Sequence, residues 1–206
     1  MKVPLRYQIS EYDCGPTAML DAVSYLFERE EVPPEVIRNI MLYCLDCYSA
    51  EGVSGKNGTS CMAMMFLSNW LNNFGKTGQL HIASEYLAAG NVFLGQGSYI
   101  DDALKRGGAV VVRLYLDEWH YALLTGVQDG RVRMFDPYYR RDKFTEPEIT
   151  TVQDQPCAYN RIVPEKFFNR EALATYALGP VDTREAIIIY NEVTKLTAAK
   201  TVEYFI

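Results

Sequence analysis

Cys14 stands in the run YDCGPTAML (residues 12–20), where Gly15 and Pro16 follow at once and an apolar stripe begins. A cysteine attacks carbonyl carbon usefully only as thiolate, and the free amides and dipole of a helix amino terminus favour that anion. The position therefore offers two fates: a buried packing thiol, the commoner one for cysteine, or a nucleophile. A nucleophile needs a base, and the chain has only two histidines. His81 lies in GQLHIAS without polar company, whereas His120 sits at the head of the strand-like run WHYALLTGV. A third group must then hold the imidazole in one tautomer and one orientation. Asp136, at the end of RVRMFDP, is the candidate. The oxyanion of a tetrahedral intermediate also needs a donor. Gln8, in YQISEYDCG, offers its side-chain amide beside the backbone N–H of Cys14.

These residues must be positioned by elements far apart in the chain. From Pro16 to Phe27 the apolar positions Met19, Ala22, Val23, Leu26 and Phe27 recur at helical spacing, with Pro16 suited to the first turn. A second helix is expected along VPPEVIRNIMLYCLDCY, with Ile37, Ile40, Met41, Cys44 and Cys47 or Tyr48 on its buried side. A third opens at Thr59 or Ser60 and stops at Gly75, and a short fourth begins after a Ser98 cap and ends near Gly107. Beyond residue 108 the period changes. AVVVRLYL, WHYALLTGV, RVRMFD and EAIIIYNEV are β-branched or aromatic runs of strand length. Between Tyr138 and Gly179 only a short helix around EKFFNREALATYAL is expected. The chain reads as α+β, helical first and antiparallel second.

The hairpin between WHYALLTGV and RVRMFD decides whether Asp136 can meet His120. A two-residue loop, Asp129-Gly130, would set Asp136 opposite Leu123, on the face away from His120. A three-residue loop, Gln128 to Gly130, would set it opposite Ala122 and diagonal to His120, within side-chain reach. A catalytic triad therefore predicts the longer loop.

Composition excludes several other roles. Twenty basic against 26 acidic side chains give a net charge of −6 with no long run of either sign, which offers no footprint for nucleic acid or an anionic membrane. The start MKVPLRYQIS lacks the apolar stretch of a signal peptide, and the apolar runs are too short to span a bilayer. A cytoplasmic protein with no membrane segment is the expectation. Five cysteines, an odd number, then read as reduced thiols. Cys44-x-x-Cys47 has no second ligand pair, so core packing is expected there and no metal. GQG at 95–97 and GVSGKNGTS lack the remaining positions of nucleotide-binding loops.

With these residues in view, YQISEYDCGPTAMLDAVSYLF resembles the nucleophile motif of the papain-like cysteine peptidases that process bacteriocin precursors after a double glycine. HYALLTGVQDGRVRMFDPYY resembles their second motif, and the likeness covers about residues 7 to 139. It implies a single papain-like domain, a helical lobe (1–95) packed on a mainly β lobe (96–206). It further implies Cys14 as nucleophile, His120 as general base, Asp136 as orienter and Gln8 as oxyanion donor, acting on a peptide or protein substrate without metal or organic cofactor. Two other uses of the same constellation stay open: acyl or peptidyl transfer to an amine, and a catalytically silent peptide-binding module.

Overall fold

The runs AVVV and AIII, apolar at every position rather than at alternate ones, belong to strands covered on both faces. They lie centrally in a seven-stranded antiparallel sheet in the computed structural model, which describes residues 1–197. The strands are β1 (Ile82–Ala88), β2 (Ala109–Leu116), β3 (Glu118–Gln128), β4 (Arg131–Phe135), β5 (Thr150–Thr151), β6 (Arg161–Pro164) and β7 (Glu185–Asn191), in the spatial order β1-β7-β2-β3-β4-β6-β5. Helices α1 (Cys14–Leu26), α2 (Pro34–Cys44) and α3 (Cys61–Gly75) bury Met19, Val23, Ile40 and Leu67 against one face. The other face is covered by α4 (Tyr99–Lys105), α5 (Glu165–Phe168) and the segment around Tyr176. The arrangement is the expected α+β one, helices packed on an antiparallel sheet.

Several local expectations change. The second helix stops at Cys44, and it buries Val36, Ile40 and Cys44 while Ile37 and Met41 stay exposed. Its inner face is thus one position away from the predicted stripe, because Val36, not Ile37, continues the i, i+4, i+8 row to Ile40 and Cys44. Cys47 lies beyond the helix and is only partly buried. Residues 1–95 also supply β1, which pairs with β7 along its whole length. Its polar Ser84 and Glu85 hide the strand pattern that pairing nonetheless permits at a sheet edge. The stretch from 138 to 179 contributes β5 and β6, and its helix is a single turn.

The β3–β4 hairpin turns on two residues, Asp129 and Gly130, both with positive φ (52° and 69°), and not on the three that a triad predicted. Near the turn Gln128 pairs with Arg131 and Gly126 with Arg133. Between Leu124 and Gly126 the register shifts by one residue, so that Leu124 pairs with Met134 and Leu123 with Phe135. Thr125 is the extra residue, a β-bulge. It puts Asp136 on the His120 face just as a longer loop would have done.

The bulge is held from the helical layer. The Tyr25 hydroxyl of α1 donates to the Thr125 carbonyl at 3.0 Å, satisfying a group that the interrupted ladder leaves free. Tyr25→Phe is expected to destabilise the fold by about 1 kcal/mol, the net value of one such hydrogen bond. Urea denaturation checks this, and an unchanged midpoint would show that the hydroxyl does not anchor the bulge.

Candidate active site

Cys14 is the first residue of α1 and is buried, with 7% of its surface exposed. The helix approaches the loop before α3 closely here: a Cβ on Gly15 would come within 2.2 Å of the Thr59 hydroxyl oxygen. Any larger residue would push the helix start, and Cys14 with it, away from the loop. Asp13, the residue before the helix, does not cap it with its side chain. Its carboxylate turns back instead and accepts from the backbone N–H groups of Ile9 (3.1 Å) and Ser10 (2.8 Å) and from the Ser10 hydroxyl (2.9 Å). These bonds fold residues 9–13 into a tight loop directly before the helix.

Gln8 is tied to the β layer through its backbone N–H, which donates to the Pro137 carbonyl at 2.9 Å. Its side-chain amide donates to the Ser10 carbonyl at 2.9 Å, and its Oε1 is buried without a partner. One N–H of the expected oxyanion donor is therefore engaged within the loop. The amide has a second.

His120 lies near the head of β3, opposite Leu114 of β2, and is 6% exposed. Its Nε2 donates to Asp136 Oδ1 at 2.8 Å, which leaves Nδ1 to face the sulfur. The second histidine, His81, lies outside this cluster in the loop before β1. Burial alone would lower the His120 pKa, but the Asp136 carboxylate, with its charge and hydrogen bond, and then the Cys14 side chain push it up to about 10. The ring's raised proton affinity suits an imidazolium held between the Asp136 carboxylate and the Cys14 side chain.

Asp136 is 1% exposed and fully satisfied. Oδ1 also accepts from the Tyr138 backbone N–H at 2.9 Å, and Oδ2 accepts from the Tyr176 hydroxyl at 2.7 Å. Asn160 clamps its backbone at both ends, donating from Nδ2 to the Asp136 carbonyl and accepting its N–H, each at 2.8 Å. Burial works against the charge, yet the neighbouring imidazolium and the hydroxyl and amide donors hold the Asp136 pKa below its ordinary value. Tyr176 is completely buried with φ of 61°, a left-handed conformation that costs a tyrosine energy. It is kept there by a bridge to β2, in which its N–H donates to the Tyr115 carbonyl and the Tyr115 N–H donates to the Ala177 carbonyl, each at 2.8 Å.

Three of these supporting residues have no signal in the sequence. Asn160 and Tyr176 come from the stretch without periodicity, and nothing beside Asp13 tells that its carboxylate turns back to Ile9 and Ser10.

Two cavities flank the pair. One, of about 350 Å³, is lined by Cys14, Thr59, Arg113, Trp119 and Tyr121, and the other, of about 260 Å³, by Gln8, His120, Leu116 and Tyr138. Both are also lined by Glu11 and Glu118, so they meet along one cleft. The cation in the Cys14 cavity is already used: Arg113 lies 3.3 Å from buried Glu185 and over the Trp119 ring at 4.5 Å. Among the described residues no group of three His, Cys, Asp or Glu side chains could hold a metal ion, and no helix is long and apolar enough to cross a membrane.

No family model matches this chain, and no curated protein matches its sequence. Among solved structures it is similar to a double glycine motif protease from an AMS/PCAT transporter, solved in complex with the leader peptide. There the TM-score is 0.44 and the identity 12%, over 92% of this chain and 90% of that one. It is also similar to the peptidase domain of Streptococcus mutans ComA, with a TM-score of 0.38 and 14% identity over 91% and 98% of the two chains. At such scores neither likeness bears on the chemistry, which has to be read from this chain's own residues.

Proposed function

We propose that the protein is a cysteine peptidase acting through Cys14, His120 and Asp136. The observation that carries the reading is the buried His120–Asp136 bond of 2.8 Å, with the Cys14 side chain near enough to raise the proton affinity of the same ring. His120, whose proton affinity is raised, takes the Cys14 proton to form the attacking thiolate. The thiolate adds to a peptide carbonyl carbon, and the oxygen that gains the electron pair is met by the Cys14 backbone N–H and the second N–H of Gln8. His120 delivers its proton to the leaving amine as the C–N bond breaks, giving a thioester. The neutral imidazole then takes a proton from water as that water attacks the thioester. Collapse releases the acid and restores the ion pair. Asp136 keeps Nε2 as donor throughout, so that Nδ1 is the atom that exchanges the proton. The substrate is a peptide or protein segment lying along the cleft past Glu11 and Glu118.

Alkylation tests the central element. Low concentrations of iodoacetamide at pH 6 are expected to label Cys14 at least about tenfold faster than exposed Cys61, because a paired thiolate reacts where a free thiol is largely protonated. Peptide mapping by mass spectrometry reads both rates in one sample. Equal rates would remove the nucleophile and the proposal with it. With fast labelling established, peptide cleavage that needs an added amine would identify transfer rather than hydrolysis.

A further inference from the structure

Arg161, the first residue of β6, is 2% exposed and forms no ion pair among the described residues. Its Nη1 donates to the Asn160 carbonyl at 2.9 Å, but its Nε, equally buried, has no partner. A guanidinium out of water without a carboxylate is expensive, and its presence calls for an anion or another source of compensation. Arg161 lines a cavity of about 350 Å³ that does not include Cys14 or His120. Arg140, Arg141 and Lys143 line it too, against the single carboxylate of Asp142.

Two of the cations also share one aromatic ring. The guanidinium carbons of Arg140 and Arg161 lie 4.7 Å and 5.5 Å from the centre of the same ring, Phe144. Cation–π attraction to that ring favours each of them. Four cations against one carboxylate, in a protein of net charge −6, make a local field opposite in sign to that of the whole molecule. A lone carboxylate would leave most of this charge uncompensated. A phosphate group, with two charges and several acceptor oxygens, matches it, and arginine forks suit its geometry.

We propose that this pocket binds a phosphate-bearing small molecule, with Arg161 as its buried anchor and Arg140, Arg141 and Lys143 as the outer contacts. Tyr7 and Tyr139, whose rings meet edge to face at 5.2 Å, form the remaining wall. The pocket does not include Cys14 or His120, although Arg161 also touches Asn160 and Tyr176, the supports of Asp136, so phosphate binding is read independently of cleavage.

Titration calorimetry on the full chain in low-salt buffer tests the site, with inorganic phosphate, pyrophosphate and citrate as probes. Saturable pyrophosphate binding is expected with Kd of about 1 mM or tighter, weakening as salt is added. Arg140→Ser with Arg141→Ser, both at or near the surface, should weaken it by about tenfold while leaving the thermal midpoint unchanged. Arg161→Met should weaken it further, and the paired surface variant decides the matter if this core change impairs folding. Inorganic phosphate binding as tightly as pyrophosphate would identify free phosphate as the ligand, whereas tighter pyrophosphate binding would identify an oligophosphate. No saturable heat, binding unaffected by the surface pair, or citrate binding as tightly as either phosphate would overturn the proposal.

Discussion

His120→Ala is expected to lower peptide cleavage by about 10³-fold or more, since one substitution removes the acid for the leaving amine, the base for water and the counterion of the sulfur. The same variant should slow alkylation of Cys14 at pH 6 to the rate of Cys61. The two measurements separate causes. Lost cleavage with fast alkylation would mean that some other group ionises the sulfur and that His120 serves a later step. Retained cleavage would remove His120 from the mechanism altogether. Folding should survive, because Asp136 keeps three of its partners, the Tyr176 hydroxyl, the Tyr138 amide and the Asn160 clamp. Circular dichroism of the variant checks that point.

The largest effect on stability is expected at Asp136. Removing its carboxylate with Asp136→Ala leaves a buried imidazole, the Tyr176 hydroxyl and the Tyr138 amide without their common acceptor. Breaking a buried pair from one side typically costs about 3–5 kcal/mol. Asp136→Asn keeps the shape and should cost less stability, yet it presents the wrong hydrogen-bonding partner to Nε2 and is expected to cut cleavage by about 10³–10⁴-fold.

The pH dependence follows from the same contact. His120 has a pKa of about 10 in the folded protein, above its unfolded value of about 6.5. Its contribution to stability is therefore complete below the unfolded value and is lost as pH rises through about 10. The Asp136 pKa is depressed on folding, so its contribution is present above about 3.9 and is lost as pH falls through the folded value. Urea midpoints measured across pH should show both slopes in the wild type. An alkaline slope that persists unchanged in Asp136→Asn would show that this carboxylate does not hold the proton on His120.

Local chemistry made most of the participants legible. The helix start at Cys14, the strand beginning near His120 and the Asp-Gly turn before β4 each follow from spacing, proline placement or tolerance of positive φ within a few residues. The triad requirement, by contrast, chose the wrong device for the hairpin, a longer loop in place of a bulge. A two-residue turn is the standard reading of Asp129-Gly130, and it fails to align Asp136 with His120 only if the strands run on without interruption. The bulge at Thr125 is invisible locally because its partner, Tyr25, stands 100 residues away on the helix that carries Cys14.

What the amino-acid order determined alone was the main helices, the central strands and which side chains could do chemistry, because those preferences act over one or two turns of chain, whereas β1, β5 and β6 escaped it. Tertiary structure decided the register of β3 on β4, the turning back of Asp13, the tie of Gln8 to the β layer, the Tyr176 and Asn160 supports and the unpaired burial of Arg161. Most of these rest on contacts between segments distant in sequence, such as Tyr25 with Thr125, Gln8 with Pro137 and Tyr176 with Asp136, whose energy exists only once the two sides of the sheet have been packed.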